Sequence, residues 1–213
     1  MKPKWSSNAI RQAFGEYFAG KGYEFVPSSP VLPTSREEQH ELVFVNAGMH
    51  QFKPRLLALP DARHLNVKKA YNWQRCIRTG GKHNDLAHVG SDGTHLTYFQ
   101  MLGHWGFDAS VSKAEGAAEA WHLLTQVFRL PKDRFIATYF QGDEALRVEE
   151  DAESRSVWLS LGLPSERVLG RPANETFWRM GSSGPCGPST ELHFLPFHQA
   201  FALPALTASK DRP

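Results

Sequence analysis

The 213-residue chain is poor in cysteine, with Cys76 and Cys186 its only two. Two thiols cannot build a disulfide framework and cannot alone complete a zinc site, so reduced thiols in an intracellular compartment are expected. The ten histidines show neither HxxxH spacing nor a paired CxxC alongside, which favours solvated or core histidines over metal ligands. No apolar run approaches the roughly 20 residues of a membrane span. The start, MKPKWSSNAIRQAF, is too interrupted by charge and polarity to form a secretory h-region. Neither sign of charge dominates: a net charge of +2 is too small to predict nucleic-acid binding. Repeats and low-complexity tracts are also lacking. What is there, 41% hydrophobic and 22% charged residues, reads as a soluble globular chain long enough for one sizeable core in one or two domains.

Along the chain, helical and extended patterns alternate. Ser7 or Asn8 can cap a helix carrying Ile10, Phe14, Tyr17 and Phe18 at helical spacing, ending near Gly20 or Gly22. Short strands are expected at Tyr23 to Val26 and at Leu42 to Val45, separated by the charged loop SREEQHE. From Ser112 to Phe128, Ala114, Ala117, Ala118, Trp121, Leu124, Val127 and Phe128 form an apolar helical stripe, which Pro131 stops. Arg134 to Phe140 reads as a strand, and Glu153 to Leu161 as a helix ended by Gly162 and Pro164.

The stretch from Asn72 to Gly106 carries the chemistry. Val67, Ala70, Cys76 and Ile77 alternate with polar residues, and His95 to Met101 mixes aromatic and β-branched residues with polar ones, so both flanks read as strands. Thr79-Gly80-Gly81, then Asn84, Asp85, Gly90, Asp92 and Gly93, supply turn chemistry between them. The result is a long-looped hairpin. Arginines at the end of its first strand would present a planar, always-charged fork suited to phosphate or carboxylate. On spacing alone, an ordinary solvated basic hairpin is an equal reading.

Five blocks shift that balance: Gln74-Arg-Cys-Ile-Arg-Thr-Gly-Gly-Lys-His-Asn-Asp-Leu86, Val45-Asn-Ala-Gly-Met49, Gln51-Phe-Lys53, Phe99-Gln-Met-Leu-Gly103 and Gly184-Pro-Cys-Gly-Pro188. In order and spacing they resemble the catalytic core of the alanyl-tRNA synthetases, over about residues 8 to 194. The resemblance implies the class II synthetase fold, an α+β architecture with an antiparallel sheet flanked by helices, with the arginine-bearing hairpin as motif 2. It implies ATP-dependent activation of alanine and transfer to tRNA-Ala. Alanine's carboxylate attacks the α-phosphorus of ATP, and the adenylate then acylates the terminal adenosine of the tRNA. Preorganised cations and in-line positioning would carry most of that catalysis.

By the same resemblance Arg78 is the α-phosphate contact, and His95 and Gln100 stand at positions on the nucleotide side. Arg75 and Lys82 are open between the tRNA acceptor end and solvent. Trp178, in Thr176-Phe-Trp178, matches a pocket tryptophan that would wall a small substrate, while a core aromatic is the competing reading. Mg2+ would accompany the triphosphate, though no carboxylate here is assignable to it and no metal ligands are named. Cys186, lacking a histidine partner, is taken as structural.

The departures are concentrated at the pocket. Leu96 replaces the second of the family's paired histidines, and Gln100 its glutamate, removing a donor and a charge. Asp-Pro-Thr ahead of the Leu42 strand is replaced within SREEQHE, Phe107 to Lys113 departs from Phe-Gly-Asp-Tyr-Phe-Lys, and Leu195 stands at an aspartate position. Motif 3, with its Gly-Leu-Glu-Arg signature, is not found. The expected organisation is a partial catalytic domain with motifs 1 and 2 over residues 1–194 and an unrelated, disordered tail over 195–213. Losing one preorganised cation typically costs about 100- to 1,000-fold in rate, so the chain by itself is expected to be incompetent as a ligase. The alternative is a degenerate, non-catalytic module that binds ATP, tRNA or a protein partner. Ala120 to Val127 and Val157 to Gly162 resemble mitochondrial members, making the mitochondrion the expected compartment and the cytoplasm the alternative.

Overall fold

The computed structural model describes residues 5–33, 43–59, 66–80, 83–84, 86–93, 95–180 and 184–195. The chain divides into two compact units, Met1–Gly116 with Arg179–Cys186, and Ala117–Trp178 with Gly187–Pro213. Among the described residues, no helix is long and apolar enough to cross a membrane.

In the first unit, helix α1 spans Ser7–Ala19. Its cap is Ser6, one residue earlier than the expected Ser7 or Asn8: Ser6 is extended and its hydroxyl accepts from the Ala9 amide at 3.2 Å. Strand β1 is only Glu24–Phe25, although the Val26 amide still donates to the Tyr71 carbonyl at 3.0 Å. The expected strand reaching Val45 is not regular in its described part, residues 43–45. Val45 instead spans two segments, donating to the Val31 carbonyl at 2.8 Å and accepting from the Ile77 amide at 3.0 Å. A 3₁₀ turn at His50–Phe52 leads into a single helical turn, α2, Lys53–Leu56.

The centre of this unit is the expected hairpin. Strand β2, Lys69–Ile77, precedes a two-residue ribbon, β3 Thr79–Gly80 with β4 His83–Asn84, and then β5, Tyr98–Gly106. β2 and β5 pair antiparallel from Lys69 opposite Gly106 to Ile77 opposite Tyr98. β1 joins the other edge of β2 in parallel, giving the order β1-β2-β5. Side chains alternate across a sheet, and directly opposed residues share a face. One face therefore carries Ala70, Asn72, Gln74 and Cys76, all fully buried, opposite Trp105, Gly103, Met101 and Phe99. Phe52 packs on it, 5.2 Å from Trp105 between ring centroids. The other face carries Tyr71, Trp73 and His104, over which α1 lies with Phe18 stacked on His104 at 4.5 Å.

Helix α3, Lys113–His122, begins in a capping box in which Ser112 and Glu115 bond each other's backbone amides. Its expected continuation to Phe128 is a π turn, Leu123–Val127, where Phe128 donates to the Leu123 carbonyl, five residues back. Thr125 Oγ1 donates to the Trp121 carbonyl at 2.7 Å, a side-chain bond that competes with regular helix pairing there.

The second unit is built on β6, Phe135–Phe140, with every residue buried. It lies between β10, Glu191–Phe194, antiparallel, and β7, Val168–Arg171, parallel. A central strand shielded on both faces reads as a continuous apolar run, as FIATYF does. Helix α4, Ala152–Ser160, is capped by Asp151 and is followed by Gly162 at φ +93°. Trp121, Phe135, Ala137, Tyr139, Trp158, Leu163 and Val168 form the core. A short helical turn α5, Ala173–Thr176, leads into β8, Phe177–Arg179, which pairs with β9, Cys186–Pro188, in a two-stranded ribbon. Each three-stranded sheet thus mixes one antiparallel pairing with one parallel edge, in an α+β architecture.

Candidate functional site

Arg78 follows the last residue of β2 and is held at three points. Its backbone amide donates to the Thr97 carbonyl at 3.3 Å. Its side-chain Nε donates to the Asn46 carbonyl at 3.0 Å, and its guanidinium carbon lies 5.1 Å from the Phe99 ring centroid. A cation over an aromatic face is held by the ring quadrupole, and because Nε is occupied, the Nη groups form the free end of the fork. Among the described residues Arg78 enters no ion pair. The group is a partly buried cation on the buried face of the hairpin, suited to an anion.

The floor beneath it is apolar and tightly fitted. Cys76 is fully buried, and burial pushes its thiol from 9.0 up to about 11, with the Arg78 charge opposing that rise. The Met101 thioether Sδ accepts from the Gly48 amide at 3.3 Å. Gly48 is close enough that a Cβ there would lie 3.2 Å from the Trp105 ring. Trp105 Nε1 donates to Asn72 Oδ1 at 3.3 Å. Asn46, whose carbonyl holds Arg78, is itself bonded through Oδ1 to His50 Nε2 at 2.8 Å.

The other candidates are distributed. Arg75 is exposed and lies on the α1 side of the sheet, with its amide and Nε both directed to Ser28 Oγ, at 3.0 and 3.4 Å. Gln100 is directly opposite Arg75 and shares that side. Its Oε1 accepts from Arg11, which also bonds Asn8, so the sheet separates Gln100 from the Arg78 guanidinium. His95 is in the loop ahead of β5, with its ring bonded to Asp92 and its amide donating to Asp92 Oδ1 at 2.9 Å. The His88 ring is 5.2 Å away. Leu96, beside it, is 58% exposed. Lys82 falls outside the described residues, as does the tail from 196 onward.

Trp178 belongs to the second unit, on β8, half-buried. A Cβ at Gly187 on the ribbon partner would lie 3.7 Å from its indole Nε1, ordinary packing contact, so the two strands bring Gly187 beside the ring. Cys186, on β9, is exposed and free. His193, on β10, is bonded to Thr138 Oγ1 at 3.1 Å. Among the described residues no cluster of three or more His, Cys, Asp or Glu is placed to hold a metal ion.

Residue type and spacing alone assign no part to Phe99, Asn46 or His50. Phe99 is two residues from Met101 on an alternating strand, which is a legible signal for a shared face. The Asn46 carbonyl leaves no trace in residue identity, because any residue has one.

A family model described as tRNA synthetases class II (A) matches residues 9–205. The chain is similar to the mitochondrial alanine–tRNA ligase of Saccharomyces cerevisiae, 46% identical over 195 residues, which are 91% of this chain and 19% of that protein. Similarity to the human mitochondrial alanine–tRNA ligase is 45% over 195 residues, 90% of this chain and 20% of that protein. With the cytoplasmic alanine–tRNA ligase of Dictyostelium discoideum it is 47% over 190 residues, 88% and 20%. The chain therefore spans about a fifth of the length of these relatives, and mitochondrial and cytoplasmic ligases match it alike. With the family model covering most of its length and these identities along the same stretch, the chain belongs to the class II tRNA synthetases of the alanine type.

Proposed function

We propose that this chain is the ATP-binding part of an alanine–tRNA ligase catalytic domain, with Arg78 as the contact to the α-phosphate. The observation that carries the reading is the immobilised Arg78 fork, held by the Asn46 carbonyl and the Phe99 ring. A cation fixed before the ligand arrives loses little freedom on binding and stabilises charge as it develops on phosphorus. Trp178 is proposed to wall the alanine side, and Arg75 and Lys82 to meet the tRNA acceptor end. His95 is assigned to the nucleotide side. Gln100 enters through Arg11 and α1 rather than by direct contact. Mg2+ is expected to accompany ATP as substrate.

The test is ATP affinity by isothermal titration calorimetry on the full chain. Arg78→Ala is expected to weaken binding about tenfold or more, consistent with loss of a charge-assisted bond. Unchanged affinity would remove the phosphate assignment. A second reading, a synthetase-like module that binds without catalysis, is favoured by the exposed Leu96 at a family histidine position. Under either reading residues 1–194 form the partial catalytic domain and the remainder a separate tail. A mitochondrial location, supported by the segments Ala120 to Val127 and Val157 to Gly162, is checked by cell fractionation.

A further inference from the structure

We propose that the Asn46–His50 pair positions Arg78, with His50 holding Asn46 so that its carbonyl fixes the guanidinium. This rests on the reading of Arg78 as the phosphate contact. Residues 43–49 have no regular strand or helix to orient their carbonyls, so the direction of the Asn46 carbonyl must be set by what ties the segment down.

Four ties among the described residues bear on that direction. Val45 is anchored to Val31 at 2.8 Å and to Ile77 at 3.0 Å. Gly48 is clasped by Met101 Sδ at 3.3 Å, with the Trp105 ring leaving no slack above it. The fourth is the His50 Nε2 to Asn46 Oδ1 contact at 2.8 Å. The first three fix the backbone on either side of Asn46, and the fourth acts on Asn46 itself. His50 is 8% exposed and opens the 3₁₀ turn that seats the fully buried Phe52, so its ring cannot follow Asn46 if Asn46 turns. In this contact the imidazole Nε2–H donates and the amide oxygen accepts, an arrangement available to neutral and charged imidazole alike. The pair closes a turn from i to i+4 and aims the carbonyl between them at Arg78 Nε, 3.0 Å away.

His50 is thus a positioning residue, acting on the nucleotide only through Asn46 and Arg78. It lies between the blocks Val45 to Met49 and Gln51 to Lys53 and belongs to neither. Three variants separate the hydrogen bond from packing. His50→Phe keeps a flat ring of similar size and removes the donor. His50→Gln keeps a donor at about the same reach. Asn46→Ala removes the acceptor and keeps the backbone carbonyl.

The readouts are ATP affinity of the full chain and the Arg78 Nε–H cross-peak in a 1H–15N spectrum of the ligand-free protein. His50→Phe and Asn46→Ala are expected to lower ATP affinity about fivefold, the scale of one buried neutral hydrogen bond, and to shift or broaden that cross-peak. His50→Gln is expected to restore both. A His50→Phe protein that folds and leaves the cross-peak unmoved overturns the proposal, as does a failure of His50→Gln to recover what His50→Phe loses. Arg78→Ala keeps the two ideas apart. If it leaves ATP affinity unchanged, the phosphate reading fails, while the cross-peak still decides whether His50 positions Arg78.

Discussion

Cys76 and Cys186 have the same side chain and opposite surroundings. Cys76 is fully buried beneath the Arg78 segment, and Cys186 is exposed on β9. An aromatic disulfide reagent is expected to modify Cys186 promptly in the native chain and Cys76 only on unfolding; rapid loss of both thiols would contradict the burial of Cys76. Burial also makes Cys76 a source of pH dependence. Its thiol is raised in the folded state from 9.0 to about 11, so the unfolded chain ionises first. The stability this group contributes is full below pH 9 and is lost as pH rises toward 11. Urea midpoints at pH 8 and pH 10.5 should show the fall, and Cys76→Ala should flatten it while lowering stability at both. Their number alone spoke against a disulfide framework, but a cysteine's partner or burial is a property of the strands around it. Arg78 was legible as a candidate anion contact because a guanidinium is never neutral, whereas the Asn46 carbonyl bonded to it was not.

The β2–β5 hairpin depends on close approach at Gly103. A Cβ there would lie 2.6 Å from the Trp105 ring, and moving that ring breaks its bond to Asn72, whose Nδ2 is already without a partner. Gly103→Ala is expected to cost about 1–3 kcal/mol by overpacking. Gly116→Ala, in α3 with its nearest neighbours at 3.8 Å or beyond, is expected to stabilise by up to about 1 kcal/mol through helix propensity. Urea denaturation of the two variants checks the contrast, and a Gly103→Ala chain as stable as the parent would refute the packing argument. Helices α1, α3 and α4 and strands β2, β5 and β6 were readable from periodicity and stop signals, whereas the single turns α2 and α5 were not. β7, β9 and β10 were not, because runs as short as Cys186–Pro188 carry no period to detect. The π turn at Leu123–Val127 escaped for a different reason: its residues keep the apolar stripe of an α-helix, and only the Thr125 hydroxyl bond marks the change.

At the scale of the chain, the function proposed above is nucleotide binding, while turnover needs more. Adenylation depends on several preorganised cations acting together, each worth about 100- to 1,000-fold, and the site described above is built on one, Arg78. The chain alone is therefore expected to bind ATP without supporting alanine-dependent pyrophosphate exchange; exchange above background would overturn that view. The order and spacing of the conserved-type blocks determined the family and the α+β class by themselves, since side-chain identity is what such resemblance reads. Tertiary structure alone decided which face each candidate occupies. The β2–β5 register puts Gln100 opposite Arg75 and, through Arg11, under α1, while Arg78 leans over Phe99 toward Asn46. Which strand pairs with which, and in what register, depends on contacts between residues distant in sequence, so no local pattern could have set those sides apart.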